Sequence, residues 1–316
     1  GDGPQQWVAP AVEVVLAEGY ATVAEQDAAP FDWAKPPLVR AGVYGDHLAV
    51  TVDHLVCDGN AIGPLMAEVV QACAGAPALE PPAVQFPDFA VWQRANVAEE
   101  TLQRQLDWWV TALDGAPLGP AVPFDHLPDR PSRRIASRSF TIGRGRLDAV
   151  ARATGSTVFV AAVAATQAVL GRAGGTSDVV MSTTVSGRTR AELDGVIGTF
   201  SGIGRIRGDG SVDRAREFIL GMFENQDVPF LRVRRAVLPD FPADPIAVMA
   251  TLPVDFQYFR THPDDPELFF RGQLHPLCIT LLDDGAAVTV ELSYKLDFYD
   301  PPTIGALAAA LERELE

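Results

Sequence analysis

His54 and Asp58 stand four residues apart, with Gly59 directly after them. A neutral imidazole can take a proton from an attacking amine or hydroxyl, or hold that nucleophile in line. A glycine at the start of a helix leaves room for a carbonyl oxygen beside a free N–H and the positive helix end. Together these groups suit attack on a carbonyl, the chemistry of acyl transfer. The same residues also fit a satisfied structural histidine followed by a common Asp-Gly turn.

Three elements must position this set. Leu48 to Val52 is an apolar, β-branched run that reads as a buried strand. Asp58-Gly59 makes the turn. Asn60 is then expected to cap a helix whose apolar side runs through Ile62, Leu65, Met66 and Val69 and ends near Ala74-Gly75. Cys57 lies between His54 and Asp58, but on a strand end it points away from His54 and reads as a small core residue. His275, just before Pro276, reads as a surface histidine. The chain has no Gly-x-Ser-x-Gly elbow, phosphate-binding loop or metal-ligand spacing.

Asp53-His54-Leu55-Val56-Cys57-Asp58-Gly59 resembles the His-His-x-x-x-Asp-Gly motif of the chloramphenicol acetyltransferase-like superfamily, which includes the condensation domains of nonribosomal peptide synthetases. Other blocks follow in the family's order. Pro30-Phe31-Asp32, Pro37-Leu38-Val39-Arg40 and Asp88-Phe89-Ala90-Val91-Trp92-Gln93 resemble its N-terminal signatures. Ser186-Gly187-Arg188, Ile197-Gly198-Thr199-Phe200 and Asn225-Gln226-Asp227-Val228-Pro229-Phe230 resemble later ones. The resemblance covers nearly the whole chain. It implies an α/β (α+β) fold of two chloramphenicol acetyltransferase-like lobes, mixed sheets covered by helices, with a channel between the lobes. The family pattern is already under way at residue 1, so the first lobe is either short or incomplete in this sequence.

The resemblance also implies roles. His54 takes the place of the second motif histidine, at the meeting point of donor and acceptor. Gly59 leaves space and an N–H for the oxyanion. Asp58 pairs with Arg188 through two parallel hydrogen bonds and ties the lobes together. No cofactor is held tightly; the donor is a thioester of carrier-protein phosphopantetheine or of coenzyme A, and the acceptor is a small molecule. Three departures bear on activity. Asp53 replaces the first motif histidine, a buried negative charge that needs a partner and would favour the charged imidazole. Ser201-Gly202-Ile203 stands where relatives carry Val-Asn-Thr, removing an amide from the expected channel lining, and Gly202 and Gly204 loosen the segment. A Phe-Asp-Leu pattern is absent before the last hairpin, where His275-Pro276-Leu277 stands nearby.

With 316 residues the chain has room for two cores. The expected division is an N-terminal lobe at 1–114, a Gly- and Pro-rich linker at 115–136 and a C-terminal lobe at 137–316. A net charge of −16 argues against nucleic acid and anionic membranes as partners. No apolar run approaches a membrane span, and the acidic start does not read as a signal peptide. Three cysteines without Cys-x-x-Cys spacing fit a reducing cytoplasm. Against the acidic background Arg130, Arg133, Arg134, Arg138, Arg144 and Arg146 cluster, and Arg232, Arg234 and Arg235 form a second group. These are either solvated loops or a landing place for an acidic carrier protein, with Arg130, Arg133 and Arg134 as the docking candidates.

Further elements follow from pattern. A strand is expected at 11–16, and about one helical turn between Glu18 and Ala28. A helix presents Leu102, Leu106, Trp109 and Leu113 on one side, with Trp108-Trp109 in the core. A strand runs from Ser137 to Ile142. Ser156 caps a buried helix over 157–170; a strand over 178–185 and a helix over 214–225 follow. Val248 to Phe259 is extended. A hairpin over 277–294 turns at Asp284-Gly285, and Asp300 caps a final helix. Three functions fit this reading: a condensation-type acyltransferase centred on His54 with a carrier-bound donor, a condensation-like module that docks partners without catalysing, and a free-standing acyltransferase that uses soluble coenzyme A.

Overall fold

The computed structural model describes residues 16–77, 82–130, 132, 134–261 and 274–316. The strand expected at 11–16 lies outside these residues except for Leu16, which bridges in parallel to Ala41. The described residues form two compact units. One comprises residues up to Trp92 together with Arg188–Phe200; the other comprises Gln93–Gly187 and Ser201–Glu316.

In the first unit, Thr22 caps the short helix α1 (Val23–Ala28) by accepting from the Glu25 N–H. Strands β1 (Val39–Tyr44) and β2 (His47–Val52) form an antiparallel hairpin. Gly45 turns it with φ of 66°, a conformation glycine adopts without strain. The Pro-Phe-Asp and Pro-Leu-x-Arg blocks acquire a structural meaning here. Arg40 lies 4.3 Å from the centre of the Phe31 ring and donates to the carbonyls of Gln26, Ala29 and Pro30. It thereby ties the end of α1 and the following turn to β1. Gln26, fully buried, donates to the Ala49 carbonyl and the Thr51 hydroxyl and accepts from Tyr44. Helices α2 (Gly59–Cys73) and α3 (Phe86–Asn96) follow.

The second unit opens with α4 (Glu99–Ala112), which buries Gln105 and Trp109. Trp109 Nε1 donates to the Asn225 carbonyl at 2.8 Å, and Gln105 bonds Asp227 and the Val228 N–H. The Asn-Gln-Asp block is thus the seat of α4. The elements β3 (Ile135–Gly143), α5 (Gly145–Thr154), α6 (Val158–Gly174), β4 (Val179–Val185), β5 (Gly202–Gly208), α7 (Val212–Glu224), α8 (Phe230–Val237), α9 (Pro245–Met249), β6 (Val254–Arg260), β7 (Leu277–Asp283), β8 (Ala287–Lys295) and α10 (Pro301–Leu315) complete it. Its six strands run β3-β8-β7-β6-β4-β5. The β7–β8 hairpin is antiparallel, turned by Asp284-Gly285 with Gly285 at φ 94°.

Burial alternates residue by residue along β7 and β8. Phe256, Ile279, Leu281 and Leu292 are fully buried on one face of the sheet, each contributing about 2–3 kcal/mol. Helices α6, α7 and α10 pack in this core, and α6 is apolar around most of its circumference because neighbours enclose it. Thr157, not Ser156, caps α6, through the Val160 N–H at 3.2 Å. Among the described residues no single helix is long and apolar enough to cross a membrane.

The boundary differs from the expected division at 114 and 137. It falls within α3, because α4 buries Gln105 and Trp109 in the second unit. Residues 115–130 are a strap on that unit rather than an inter-lobe linker. Val122 is buried, its carbonyl accepts from the Tyr299 hydroxyl, and Phe124 packs on Phe298 and Tyr299. Asp125 accepts from the Asp300 N–H and the Thr303 hydroxyl at the start of α10.

Candidate active site

The turn from β2 into α2 is fastened at several of its polar groups. Asp58 occupies the N-cap of α2, two positions before the expected Asn60, since its carboxylate accepts from the Ala61 N–H at 3.1 Å. The same carboxylate, fully buried, accepts Arg188 Nη1 at 2.8 and 3.0 Å and the Phe200 N–H at 2.8 Å. Its own N–H donates to the Gly198 carbonyl. Arg188 sends Nη2 to the Val196 carbonyl and lies 4.4 Å from the centre of the Phe200 ring.

The structure therefore brings Asp58 and Arg188 together, with two differences from the expected pair. One nitrogen, Nη1, serves both carboxylate oxygens, in place of two parallel bonds. The pair also acts inside one unit, because residues 188–200 belong to the same unit as Asp58. That segment is locked by packing as well. A Cβ on Gly198 would stand 2.8 Å from the Phe86 side chain, so only glycine permits this approach. Leu193, Val196 and Phe200 form a small core with Val84, Phe86 and Phe89. Arg190 lies 4.2 Å from the centre of the Trp92 ring.

His54 sits on this fastened turn. Its carbonyl accepts the Thr199 hydroxyl, a contact the sequence motifs contained without revealing. Its side chain is exposed, and among the described residues neither ring nitrogen has a hydrogen-bond partner. Five residues on, the N–H groups of Gly59 and Asn60 also lack partners among the described residues, as expected for the first turn of a helix. A Cβ on Gly59 would meet nothing within 4 Å.

Asp53 does not behave as expected. It is half-buried, and its carboxylate accepts from the Leu55 N–H at 2.9 Å and Trp33 Nε1 at 3.0 Å. The charge is spent on holding the turn and an exposed indole, not on the imidazole. Cys57 is buried; burial, then the neighbouring Asp58, pushes its thiol up to about 11, so it is not a nucleophile at neutral pH.

Ser201 and Gly202 belong to the second unit and lead into β5. The glycines there do not loosen the segment: β5 is paired along its length with β4, and a Cβ on Gly204 would stand 2.6 Å from Met222 Sδ. His275 is buried rather than on the surface, with Nδ1 at 2.7 Å from the Pro253 carbonyl. Burial lowers its pKa. Arg130 and Arg134 are exposed on the second unit, and Arg133 lies outside the described residues. Three of the other arginines have partners. Arg144 pairs with Asp148 and buried Asp283, Arg232 with Glu99, and Arg234 stacks over Phe241.

Two compact α/β units with a mixed sheet define a chloramphenicol acetyltransferase-like fold, and comparison with known proteins places it further. The family described as Condensation domain matches residues 17–316. The chain belongs to that family, as a condensation domain of the nonribosomal peptide synthetase type. It is 30% identical over 314 residues to malpinin synthetase of Mortierella alpina, covering 87% of this chain and 4% of that protein. It is 26% identical over 336 residues to tyrocidine synthase 3 of Brevibacillus parabrevis, covering 94% of this chain and 5% of that protein. The chain thus spans a small fraction of these relatives. Among solved structures it is similar to the X-domain in its complex with OxyB from teicoplanin biosynthesis, with TM-score 0.79 and 24% identity over 93% of this chain and 72% of that one.

Proposed function

We propose that this condensation domain is an active acyltransferase that moves an acyl or aminoacyl group from a carrier-protein phosphopantetheine thioester to an amine or hydroxyl. The observation that carries the reading is the contrast at the motif turn. Asp58, Arg188 and Thr199 hold the turn, while the His54 ring is exposed and unbonded among the described residues.

In this reading the acceptor's lone pair attacks the thioester carbon. His54 orients the acceptor and takes its proton as the new bond forms. Negative charge moves to the carbonyl oxygen, near the Gly59 N–H, which has no partner among the described residues, and the positive end of α2. The carbon–sulfur bond then breaks, and the departing thiolate leaves with the proton. Asp58 and Arg188 are supports that fix the turn. Coenzyme A thioesters are an alternative donor.

A second reading, a docking or recruitment module without catalysis, is favoured by Asp53 in the place of the first motif histidine and by the fold shared with an X-domain that binds OxyB. Exposed Arg130 and Arg134 are candidates for carrier docking under either reading. The test presents the chain with an aminoacyl-loaded carrier protein, or with the coenzyme A thioester, plus an amine or hydroxyl acceptor. Product detected by mass spectrometry with the carrier supports transfer. Carrier binding without product from either donor supports the docking module instead.

A further inference from the structure

Strand β3 is an edge of the six-stranded sheet in the second unit. Its register with β8 runs unbroken from Ile135 opposite Lys295 to Gly143 opposite Ala287. Just past the two ends, the Leu296 N–H donates to the Arg134 carbonyl and the Arg144 N–H to the Ala286 carbonyl. Bonding along an antiparallel strand alternates in direction, so the even-numbered residues of β3 bond β8. The N–H and C=O groups of Ile135, Ser137, Ser139, Thr141 and Gly143 therefore point outward, and all of these residues are exposed. Among the described residues nothing bonds those groups. Natural edges are usually blunted by proline, lysine or a bulge, and β3 has none of these.

A second feature lies against the same edge. The chain leaves β8 at Lys295, beside Ile135, and α10 runs back along β3. Ile304, Leu307, Leu311 and Leu315 bury one side of α10, and on one flank Glu314 pairs with Arg172 of α6. The opposite flank carries Gly305, Ala309 and Glu312. A Cβ on Gly305 would lie 3.5 Å from Arg138 Nη1, which puts this flank at the β3 edge. With rises of about 1.5 Å per helical residue and about 3.3 Å per strand residue, Ala309 is level with Phe140.

We propose that two copies of this chain pair through β3, antiparallel about a two-fold axis at Ser139, with the two α10 helices side by side against the joined sheet. In that register Ser139 meets Ser139, Ser137 meets Thr141 and Ile135 meets Gly143, each pair exchanging two backbone hydrogen bonds. Ile135, 43% exposed, covers the bare backbone of Gly143 in the second copy. Ala309 of one copy meets Gly305 of the other, and residues this small let the helix axes approach to about 8–10 Å. Glu312, one turn further on, comes beside Arg138 of the second copy, so opposite charges meet on both sides of the axis. An unrelated extended segment would take the strand's hydrogen bonds but none of the α10 contacts. The interface uses neither His54 nor the Asp58–Arg188 turn and stands apart from the transfer reaction.

The test is sedimentation equilibrium of the chain from about 1 to about 200 μM, with backbone amide exchange at both extremes. The mass is expected to rise from that of one chain toward that of two, with the Ser137, Ser139 and Thr141 amides slowing as it does. Ser139→Pro removes an outward N–H and leaves the bonds to β8 in place. It should raise the dimer Kd by about tenfold or more. Ala309→Gln, which thickens the flank of α10, should also raise it by about tenfold. If Ser139→Pro does not fold, Ala309→Gln and the amide exchange decide the matter. A single-chain mass at every concentration would overturn the proposal, as would a dimer whose Kd the folded variants leave unchanged.

Discussion

Asp58 shows how one carboxylate can serve a helix, a buried cation and a neighbouring loop backbone at once. It caps α2, neutralises Arg188 and accepts the Phe200 N–H. Asp58→Ala removes all three and leaves a buried guanidinium without its carboxylate, a loss of about 3–5 kcal/mol. Urea unfolding should show it as a lower midpoint; a change under about 1 kcal/mol would contradict the role. Gly59 separates fold from chemistry. A Cβ there meets nothing within 4 Å, so Gly59→Ala should move stability by no more than about 0.5 kcal/mol. Under the transfer reading the same methyl crowds the approaching carbonyl, and turnover should fall about 100-fold. Unchanged turnover would remove Gly59 from the site. The motif residues could be read from the sequence because their types and spacing are local. Thr199 holding the His54 carbonyl, and Asp53 holding Trp33, could not be, since those pairs are 145 and 20 residues apart.

At the scale of elements, hydrophobic period placed β2, α4, α6 and the β7–β8 hairpin, because each repeats its apolar positions at a strand or helix spacing. It failed where charge hid a stripe. Leu147 and Ala151 are buried in α5, i and i+4 beneath Arg144, Arg146 and Arg152, and the basic residues made the stretch read as loop. It failed also at 115–130, where glycines and prolines permit a tight strap as readily as a flexible linker. Gly174, the last residue of α6, marks where that strap is pressed closest: a Cβ there would stand 2.0 Å from the Ala121 carbonyl oxygen. Backbone cannot give way cheaply, so Gly174→Ala should destabilise by about 1–3 kcal/mol. Differential scanning calorimetry should record a lower Tm, whereas an equal Tm would mean that the strap is free of α6.

For the whole molecule, acid stability is set in separate windows. His275 is held neutral by burial, with a folded pKa below its ordinary 6.5. The unfolded chain therefore binds the extra proton first, and stability is full above 6.5 and declines as pH falls toward the folded value. Asp297, held below 3.8 chiefly by its hydrogen bonds from Ser132, contributes stability lost only at more acid pH. His275→Asn keeps a donor for the Pro253 carbonyl but has no proton to gain. Its urea midpoint should change less than that of the parent between about pH 7 and about pH 5. Equal slopes would show that His275 does not titrate on unfolding.

The central claim concerns one ring on one turn. In a single-turnover reaction with a loaded carrier and acceptor, His54→Ala should slow product formation by about 100-fold or more. Its carrier affinity and urea midpoint should stay at the parent values. Product formed at the parent rate by His54→Ala would contradict the account.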